Sequence, residues 1–323
     1  MAAIAITGAT GFLGGTLSRR LLAKGQPVIA LGRDVQKLAS LEALGAFIVE
    51  NDLSKGPPPV PDRRIIAVIH CAALSSAWAP ISEFRAANVD GTRAALAFAR
   101  RTGATRFVHI STPSLYFRFR DQPLVREDAA LPPPVNAYAA TKGEAEQLVL
   151  AEPGFSSIVL RPRGLYGAGD TALLPRLLRA ARSGPLPLMR DGRAETDLTY
   201  IDDVVDAVLA GLAAPAELQQ RIFNISGGEP LPVRKIAEAA GAQVGLTIRW
   251  RRFPSTLVFG AAHALELAAR LHPGRPEPSI TAYGAGLFAF TQTLDLSAAK
   301  KHLSWTPRVS FEEGLSRTFG GLA

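Results

Sequence analysis

The residues most directly suited to chemistry are Tyr138 and Lys142, which stand four positions apart in a segment of helical composition. Side chains at positions i and i+4 lie on the same face of a helix, so the lysine can sit beside the tyrosine. A free phenol has a pKa of about 10 and exchanges protons poorly at neutral pH. A neighbouring ammonium group stabilises the phenolate and lowers that pKa. The pair therefore predicts a general acid or base for a reacting hydroxyl or ketone.

Three hydroxyl side chains lie just beyond a predicted strand at 107–110 and could hydrogen-bond to the oxygen atom that reacts. They are Ser111, Thr112 and Ser114, and the residue types leave all three open. Tyr116 follows them and could line the same pocket or pack in the core. In an open α/β sheet the ligand lies beyond the carboxyl ends of the strands, so we expect the hydroxyl groups to be near the substrate.

A glycine-rich turn near the N-terminus predicts where a dinucleotide binds. Gly8, Gly11 and Gly14 are evenly spaced, directly after a predicted strand at 2–6 and at the start of a predicted helix at 12–24. One glycine permits the tight turn, one lets the pyrophosphate approach the backbone, and one lets the helix pack closely on the sheet. The helix N-terminus then presents free N–H groups and a positive dipole end to the phosphates.

The end of the second predicted strand indicates which dinucleotide is bound. NAD-binding folds usually carry an acidic residue there, on the ribose 2′-hydroxyl, whereas this chain has Gly32 followed by Arg33. A guanidinium group pairs with phosphate in a bidentate manner, so Arg33 favours the 2′-phosphate of NADP, with Lys37 nearby. Asp34 could instead point inward and bind the ribose hydroxyls of NAD. We therefore predict NADP as the cofactor, with NAD as the alternative.

These residues need a scaffold, which the alternation of strands and helices supplies. Apolar runs typical of strands buried on both faces alternate with helical segments, which indicates a parallel sheet with right-handed crossovers. We predict an α/β fold, a Rossmann-type doubly wound parallel sheet with a smaller C-terminal substrate lobe. The dinucleotide-binding domain is predicted at 1–163, with 199–229 returning to it, and the substrate lobe at 164–198 and 230–323. The predicted strands lie at 2–6, 28–31, 47–49, 65–70, 107–110, 157–160 and 222–225, and the predicted helices at 12–24, 35–44 and 89–101.

Composition and charge argue against several other classes of protein. Of the 323 residues, 47% are hydrophobic and 20% charged, so we expect a large packed core. The net charge is +8, but the basic residues are scattered in pairs, without the long stripe typical of nucleic-acid binding. The five histidines form no metal-ligand cluster, so no metal is predicted, and the single cysteine suits a reducing cytoplasm. No apolar run reaches the roughly 18 residues of a membrane span, although the stretch at 256–271 could be a lid, a membrane-surface helix or a packed helix.

Motifs along nearly the whole chain resemble, in order, those of the extended short-chain dehydrogenase/reductases. The matching blocks are Gly8-Ala9-Thr10-Gly11-Phe12-Leu13-Gly14, Asp52-Leu53, His70-Cys71-Ala72-Ala73, Asn88-Val89-Asp90-Gly91-Thr92, Ser111-Thr112-x-x-Leu115-Tyr116, Arg161-Pro162-x-Gly164-x-Tyr166-Gly167 and Tyr200-Ile201-Asp202-Asp203-Val204. One departure is Phe117, which stands where many members have glycine, so we expect a different loop over the active site.

The resemblance implies roles for individual residues. Thr112 falls at the position of the catalytic hydroxyl, beside Tyr138 and Lys142. The family's usual dimer contact, at 91–101 and 143–150, implies a homodimer. The candidate cofactor-binding residues are Gly8, Thr10, Gly11, Phe12, Leu13, Gly14, Arg33, Asp52, Leu53, Cys71, Ala72, Ala73, Asn88, Ser111, Tyr138, Lys142, Pro162 and Arg163.

The resemblance also bears on the substrate. Many nucleotide-sugar epimerases and dehydratases carry an R-D-Y segment before the block at Tyr200, with an arginine that grips the diphosphate. This chain reads E-T-D-L-T-Y at 195–200, so Arg190 or Arg193 would have to substitute. We keep Arg190 as a candidate substrate-binding residue, with Ser114 and Tyr116. The segment looks more like the 3β-hydroxysteroid dehydrogenase and 2-alkyl-3-ketoacid reductase branch.

We therefore predict an NAD(P)-dependent oxidoreductase that transfers a hydride between nicotinamide and a secondary alcohol or ketone. The predicted substrate is an apolar small molecule of the 3β-hydroxysteroid or 3-keto acid type. The first alternative is a nucleotide-sugar epimerase or dehydratase that uses bound NAD(P). The second is a non-catalytic dinucleotide-binding sensor, against which the pair of Tyr138 and Lys142 argues. We expect no nucleic-acid partner and no membrane span, although the protein could contact a membrane surface.

Overall fold

The computed structural model describes residues 2–76, 78–218 and 221–320. Its strands are, in chain order, β1 (Ala3–Thr7), β2 (Val28–Gly32), β3 (Phe47–Glu50), β4 (Ile65–His70), β5 (Arg106–Ile110), β6 (Gln122–Val125), β7 (Ser156–Pro162), β8 (Leu165–Tyr166), β9 (Leu186–Leu188), β10 (Glu195–Thr196), β11 (Thr199–Tyr200), β12 (Arg221–Ile225), β13 (Leu231–Pro232), β14 (Trp250–Arg252) and β15 (Gln292–Leu294). Its α-helices are α1 (Phe12–Ala23), α2 (Val35–Glu42), α3 (Ile81–Phe84), α4 (Gly91–Thr102), α5 (Ala137–Leu150), α6 (Leu174–Ser183), α7 (Ile201–Ala213), α8 (Val233–Ala242), α9 (Ser255–Leu271), α10 (Ala282–Ala289), α11 (Ser297–Leu303) and α12 (Phe311–Phe319). Short 3₁₀ turns lie at Leu53–Lys55, Pro113–Tyr116, Arg190–Gly192 and Ala216–Leu218, and a π-helical turn at Arg85–Asp90.

Seven parallel strands form the main sheet, in the order β3-β2-β1-β4-β5-β7-β12. The order runs outward in both directions from the neighbouring strands β1 and β4, so the sheet is doubly wound. Each of the seven predicted strands is present, within two residues of its predicted bounds. The predicted Rossmann-type α/β fold is confirmed, and the ligand crevice of such a sheet lies at the carboxyl ends of β1 and β4.

Helices cover both faces of this sheet because its strands are apolar on both sides. In β1, Ile4 and Ile6 belong to the core that contains α1 and α7, whereas Ala3 and Ala5 belong to the core of α4 and α5. Every residue of β1 is buried, which explains why the strand reads as a continuous apolar run. The sheet is thus a rigid layer with all its carboxyl ends along one edge.

The start of α5 determines where the candidate catalytic tyrosine lies. Asn136 has an extended backbone and its side chain accepts a hydrogen bond of 2.8 Å from the N–H of Ala139. Such N-caps satisfy a donor that the first helical turn leaves unpaired. Tyr138 therefore lies in the first turn of α5, and Lys142 lies one turn further along the same face.

A second, smaller sheet has the strand order β13-β10-β15-β6. Its strand β6 comes from the long segment between β5 and α5, which the sequence analysis assigned to the dinucleotide-binding domain. Register pairs join Gln122 to Gln292 and Val125 to Leu294, so this part of the segment packs with the substrate lobe. Segments without helical or strand periodicity can still donate a strand to a distant sheet, and sequence patterns do not show this pairing.

The C-terminal helices also depart from the predicted lobe boundary at 230. Ala299, Leu303 and Phe311, from α11 and α12 and their surroundings, belong to the large core against α7 and β12. The buried Asp203 carboxylate accepts hydrogen bonds of 2.9 and 3.1 Å from the N–H groups of Arg308 and Val309. This anchor returns the end of the chain to the dinucleotide-binding domain.

Helix α9 is a packed helix with an exposed apolar face. Val258, Ala262 and Ala269 are buried, and the helix packs on α10. The side chains of Leu257 and Leu271 are 65% and 76% exposed. Among the described residues, no helix combines the length and apolar character needed to cross a membrane.

Candidate active site

The glycine turn predicted from the sequence connects β1 to α1 at the carboxyl edge of the sheet. Gly8 has φ +67°, and a Cβ there would lie 2.7 Å from the backbone nitrogen of Ala72. A Cβ on Gly14 would lie 2.2 Å from the carbonyl oxygen of Gly8. Gly11 is the N-cap of α1 and uses no side-chain cap, so the first N–H groups of the helix are open to an anion. This cradle fits the pyrophosphate of a dinucleotide.

Replacing Gly14 with alanine is expected to weaken cofactor binding and to lower stability. The new methyl group would collide with the Gly8 carbonyl, and such overpacking costs about 1–3 kcal/mol. Fluorescence titration with NADPH and thermal unfolding measure the two effects. Gly260→Ala is the control, because a Cβ there meets no atom within 4 Å. Unchanged NADPH affinity in Gly14→Ala would show that this turn is not the cofactor cradle.

Two residues at the end of β2 differ in their surroundings. Gly32 contacts the glycine turn, and Arg33 is an exposed cation. A Cβ on Gly32 would lie 2.7 Å from the Thr10 methyl group, so a larger residue is not accommodated there. Asp34 caps α2 by accepting from the N–H of Lys37, which also lies 3.5 Å from it through Nζ. The Asp34 carboxylate thus serves the start of α2, and the choice between NADP and NAD stays a prediction. Arg33 is the remaining charged group at this position.

The candidate cofactor-binding residues Asp52 and Leu53 lie at the start of a 3₁₀ turn. Asp52 accepts hydrogen bonds of 3.1 and 2.7 Å from the backbone and the hydroxyl of Ser54. These hydrogen bonds lower the pKa of Asp52, and the charge of Arg33 lowers it further. Leu53 packs against the core of α4 and α5. The charges of Arg33 and Asp52 thus interact across the space between β2 and this turn.

A buried polar frame holds the loop that follows β4, which contains Cys71, Ala72 and Ala73. His70 contacts the Thr7 hydroxyl at 2.7 Å through Nδ1 and the Thr92 hydroxyl at 3.0 Å through Nε2. Burial lowers the pKa of His70 to about 3, so the ring is neutral. The Thr7 hydroxyl in turn accepts from the N–H of Ala72 at 3.4 Å. The loop is held where the backbone passes Gly8.

The side chain of Asn88 joins two segments of the site, and its predicted cofactor contact stays a prediction. Its carboxamide oxygen accepts from the N–H of Leu74 at 2.7 Å. Its carboxamide nitrogen donates to the Leu74 carbonyl at 3.3 Å and to the Thr141 hydroxyl at 3.1 Å. Both protons of the group are therefore used to join the loop after β4 to α5.

Lys142 and Tyr138 lie on α5 against the end of β5, as the helical spacing indicated. The Lys142 ammonium donates to the Ile110 carbonyl at 2.6 Å and lies 3.4 Å from Nε2 of His109. Burial lowers the pKa of Lys142 to about 8. Burial also raises the pKa of Tyr138 to about 12, against a smaller lowering by a hydrogen bond with Thr112. The expected lowering of the Tyr138 pKa is thus not present in the protein alone, because desolvation outweighs the favourable contacts.

The candidate hydroxyl groups after β5 form a chain that ends on the smaller lobe. The Thr112 hydroxyl donates to the Ser114 hydroxyl at 3.0 Å and also interacts with Tyr138. Ser114 Oγ lies 2.8 Å from the Tyr283 hydroxyl, which α10 supplies. Thr112 is therefore the hydroxyl adjacent to the candidate proton donor, and Ser114 is one step further away.

The side chains of Ser111 and Tyr116 belong to a buried ion network, and their predicted contacts with cofactor and substrate stay predictions. Ser111 donates to the Glu146 carboxylate at 2.6 Å, and Glu146 pairs with Arg161. Arg161 also donates to the Tyr116 hydroxyl, which donates to the Asn224 side chain at 2.9 Å. Tyr116 is only 1% exposed, so neither its ring nor its hydroxyl is free to meet a substrate.

Two of the three arginines predicted at the site, Arg163 and Arg190, have other partners. Arg163 is buried and donates to Thr196 at 3.0 Å and to the Gln292 side chain, which joins β7 to the smaller sheet. Arg190 donates to the Asp121 carboxylate at 2.7 and 2.8 Å and stacks on a phenylalanine ring. Neither guanidinium group is therefore free for the predicted contact. Pro162 is the last residue of β7, next to the carboxyl edge of the sheet.

Tyr283 escaped the sequence analysis, whereas the position of His109 near a strand end predicts a structural or pocket-lining residue. Tyr283 comes from a stretch rich in glycine, alanine and phenylalanine, and only its partner Ser114 marks it as polar and functional. His109 lies in β5, and its Nδ1 is buried without a hydrogen-bond partner among the described residues. In the sequence, a histidine within an apolar strand indicates little about function, because its partner Lys142 comes from a different element.

The glycine cradle, the neutral polar frame and the Tyr–Lys–Thr group lie together at the carboxyl edge of the sheet, where doubly wound sheets bind their ligands. The NAD dependent epimerase/dehydratase family matches residues 4–226, and the chain belongs to this family. It is thus an NAD(P)-dependent enzyme of the extended short-chain dehydrogenase/reductase type. No metal-binding group of three or more suitable side chains is present among the described residues.

Several known proteins are similar along nearly their full length. A 2-alkyl-3-oxoalkanoate reductase of Stenotrophomonas maltophilia is 34% identical, over 97% of this chain and 97% of that protein. A 4-hydroxy-2-methyl-3-oxo-4-farnesyl-3,4-dihydroquinoline-1-oxide ketoreductase of Stigmatella aurantiaca is 33% identical, over 96% and 93%. The structure of UDP-glucuronic acid 4-epimerase from Bacillus cereus in complex with NAD matches with a TM-score of 0.74 and 23% identity, covering 98% of this chain and 95% of that one. At this identity the structural likeness shows the fold alone.

Proposed function

We propose that the protein transfers a hydride between NADP and the carbonyl carbon of an apolar ketone, or runs the reverse oxidation of the secondary alcohol. The observation that carries this proposal is the placement of Tyr138 beside Thr112, with Lys142 one turn further along the same helix, at the edge that bears the glycine turn. The pair offers two hydroxyl groups to one oxygen atom. The proposed substrate class is a 3-oxo acid or a 3β-hydroxysteroid.

In the proposed reduction, the bound cofactor supplies the hydride. Thr112 hydrogen-bonds to the carbonyl oxygen and orients it, and Tyr138 donates its phenolic proton to that oxygen as negative charge develops. Lys142 is held by the Ile110 carbonyl and would bind the ribose hydroxyls of the cofactor. Its charge favours the phenolate that Tyr138 becomes after it has given up its proton. In the oxidation these steps are reversed, and Tyr138 accepts the proton of the substrate hydroxyl.

Support for a ketone comes from the names of the relatives, two of which are called reductase and ketoreductase. The competing function is a nucleotide-sugar epimerase or dehydratase, as in the structural neighbour. Two observations disfavour it: Thr196 stands where an arginine would grip a diphosphate, and the nearby Arg190 is paired with Asp121. A non-catalytic sensor is disfavoured by the intact pair of Tyr138 and Lys142.

A turnover screen separates these functions. Purified protein is mixed with NADPH or NADH, and separately with the oxidised cofactors, against 3-oxo acids, 3-oxo and 3β-hydroxy steroids, and UDP- or dTDP-sugars. Net consumption of reduced cofactor with a ketone supports the proposal and identifies the substrate class. Conversion of a sugar nucleotide without net change in the cofactor would overturn it.

Arg33→Ala is expected to weaken NADPH binding about 10- to 100-fold, the size of the loss of a hydrogen bond between charged groups. NADH binding should stay close to that of the unaltered protein, because NADH has no 2′-phosphate. Titration with each cofactor measures the ratio. Lys24→Ala is the control, since this exposed lysine lies at the other end of α1. Equal losses for both cofactors would contradict the assignment of NADP.

We further propose that the protein acts in the cytoplasm as a homodimer that pairs through α4 and α5. Charged residues on these helices, including Arg93 and Glu144, already form ion pairs within one chain. Light scattering on a sizing column would report the mass of the assembly. A mass of one chain at micromolar concentration would contradict the dimer.

A further inference from the structure

Tyr283 belongs to the smaller lobe, and its hydroxyl group lies next to the hydroxyl groups of Ser114 and Thr112. Thr281 caps α10 by accepting from the N–H of Gly284 at 3.0 Å. The carboxylate of Glu266 in α9 accepts from the N–H of Ala282 at 2.8 Å. The first turn of α10 is thus held from two sides, and Tyr283 lies within it. Its hydroxyl reaches Ser114, which is 169 positions away in the sequence.

Aromatic contacts fix the orientation of the Tyr283 ring. Phe117 meets it edge-on, with ring centroids 5.1 Å apart and an angle of 82°. Phe117 can approach α10 because of Gly286, where a Cβ would lie 2.8 Å from its Cζ atom. Phe119 meets Phe117 in the same edge-on manner, at 5.5 Å. Phe117 stands where many family members have glycine. Its ring therefore holds the Tyr283 ring so that the Tyr283 hydroxyl faces the active site.

The hydrogen bonds of Ser114 allow the Tyr283 proton to serve a substrate. In the protein without substrate, the Thr112 hydroxyl donates to Ser114, and in the proposed reaction this proton turns to the ketone oxygen. The other contact of the Ser114 hydroxyl is the Tyr283 oxygen at 2.8 Å, in which either group can be the donor. When Ser114 donates, Tyr283 keeps its own proton for another acceptor. Tyr283 is half-buried, so a ligand can reach it.

We propose that Tyr283 is a substrate-contacting residue that donates a hydrogen bond to a second oxygen atom of the substrate, close to the ketone that is reduced. This proposal rests on the proposed ketone reduction. Thr112 and Tyr138 bind the reacting oxygen, and the Tyr283 hydroxyl lies two hydrogen bonds beyond Thr112 along the same chain. An acceptor at that place belongs to a substrate with a second oxygen function near its ketone, such as the carboxylate or acyl oxygen of a 3-oxo acid. A rigid aromatic donor loses little side-chain entropy on binding.

The test compares two substrates in Tyr283→Phe, which keeps the ring and removes the hydroxyl. One substrate is a straight-chain 3-oxoalkanoate, and the other is the methyl ketone of the same chain without the carboxylate. We expect kcat/KM for the 3-oxoalkanoate to fall about 10- to 100-fold, mainly through KM, as the loss of a hydrogen bond to a charged acceptor implies. The methyl ketone should change little.

Tyr200→Phe is the control, because it removes a phenol hydroxyl that has no place in the proposed reaction, and it should leave both substrates unaffected. Equal losses for both substrates in Tyr283→Phe would overturn the proposal and leave Tyr283 as a support of α10. If the unaltered protein reduces neither ketone, the proposed function fails. Calorimetry of 3-hydroxyalkanoate binding to the complex with NADP⁺ then tests whether Tyr283 contacts the ligand. About tenfold weaker binding in Tyr283→Phe supports the contact, and equal affinity contradicts it.

Discussion

Replacing Tyr138 with phenylalanine is expected to lower the turnover of a ketone by at least about 100-fold, the scale of a general acid contribution. The variant keeps the ring, which packs against Phe84 at 6.3 Å, and loses only the hydroxyl that interacts with Thr112. The fold and cofactor binding should therefore persist. Without the phenolic proton, the developing charge on the substrate oxygen has only the Thr112 hydroxyl as a partner. Steady-state reduction of the best ketone from the screen, followed by NADPH absorbance, measures the loss.

Tyr200→Phe is the matched control for this experiment. Tyr200 packs edge-on against Tyr166 in the small pair of strands β8 and β11, and its hydroxyl has no place in the proposed reaction. It should keep near-normal turnover. If Tyr138→Phe turned over at the same rate as Tyr200→Phe, the assignment of the proton donor would be discarded. NADPH titration of both variants shows whether a loss arises in binding or in the chemical step.

Replacing Glu146 with alanine is expected to lower the free energy of unfolding by about 3–5 kcal/mol. Glu146 and Arg161 are 1% and 2% exposed, so the change leaves a guanidinium group buried without its counter-charge. The Ser111 hydroxyl loses its acceptor at the same time. Chemical denaturation followed by circular dichroism gives the change in the free energy of unfolding. The midpoint should shift strongly while the denaturant dependence stays similar.

Glu144→Ala provides the contrast, since Glu144 lies two residues earlier on the same helix and pairs with Arg85 at the surface. An exposed ion pair contributes about 0.2–1 kcal/mol, so this variant should unfold almost normally. The double variant Glu146→Leu, Arg161→Leu should recover part of the loss, because no unpaired charge remains. A double variant less stable than Glu146→Ala would show that the network, and not the stranded charge, dominates.

The fold could be predicted from the sequence because its determinants are local. Apolar runs marked all seven strands of the main sheet, and the glycine spacing marked the turn between β1 and α1. Cap residues behave in the same way: Asn136 and Asp34 satisfy donors only three residues away. Alternating strands and helices admit few topologies. The confirmed Rossmann-type order therefore follows from signals a few residues long.

The pocket residues were predicted less well, because each depends on a partner from a distant segment. Ser111 and Tyr116 stand near Thr112 in the sequence, yet in the structure they are buried and hydrogen-bond to Glu146 and Arg161. Arg163 follows the last residue of β7, yet Gln292 of the smaller sheet holds it. No motif carries this information, because the buried carboxylate or amide that pairs with each group lies far along the chain.

The sequence by itself determined the sheet, the cofactor turn and the spacing that places Tyr138 and Lys142 on one helix face. These features depend on backbone geometry and periodicity, which a short stretch of chain specifies. Only the tertiary structure decided that Tyr283 contacts both Ser114 and Phe117. It also decided that β6 joins the smaller sheet and that α12 returns to the large core. Buried polar groups must find partners wherever the fold brings them, so their roles are set by packing and hydrogen bonding between distant segments.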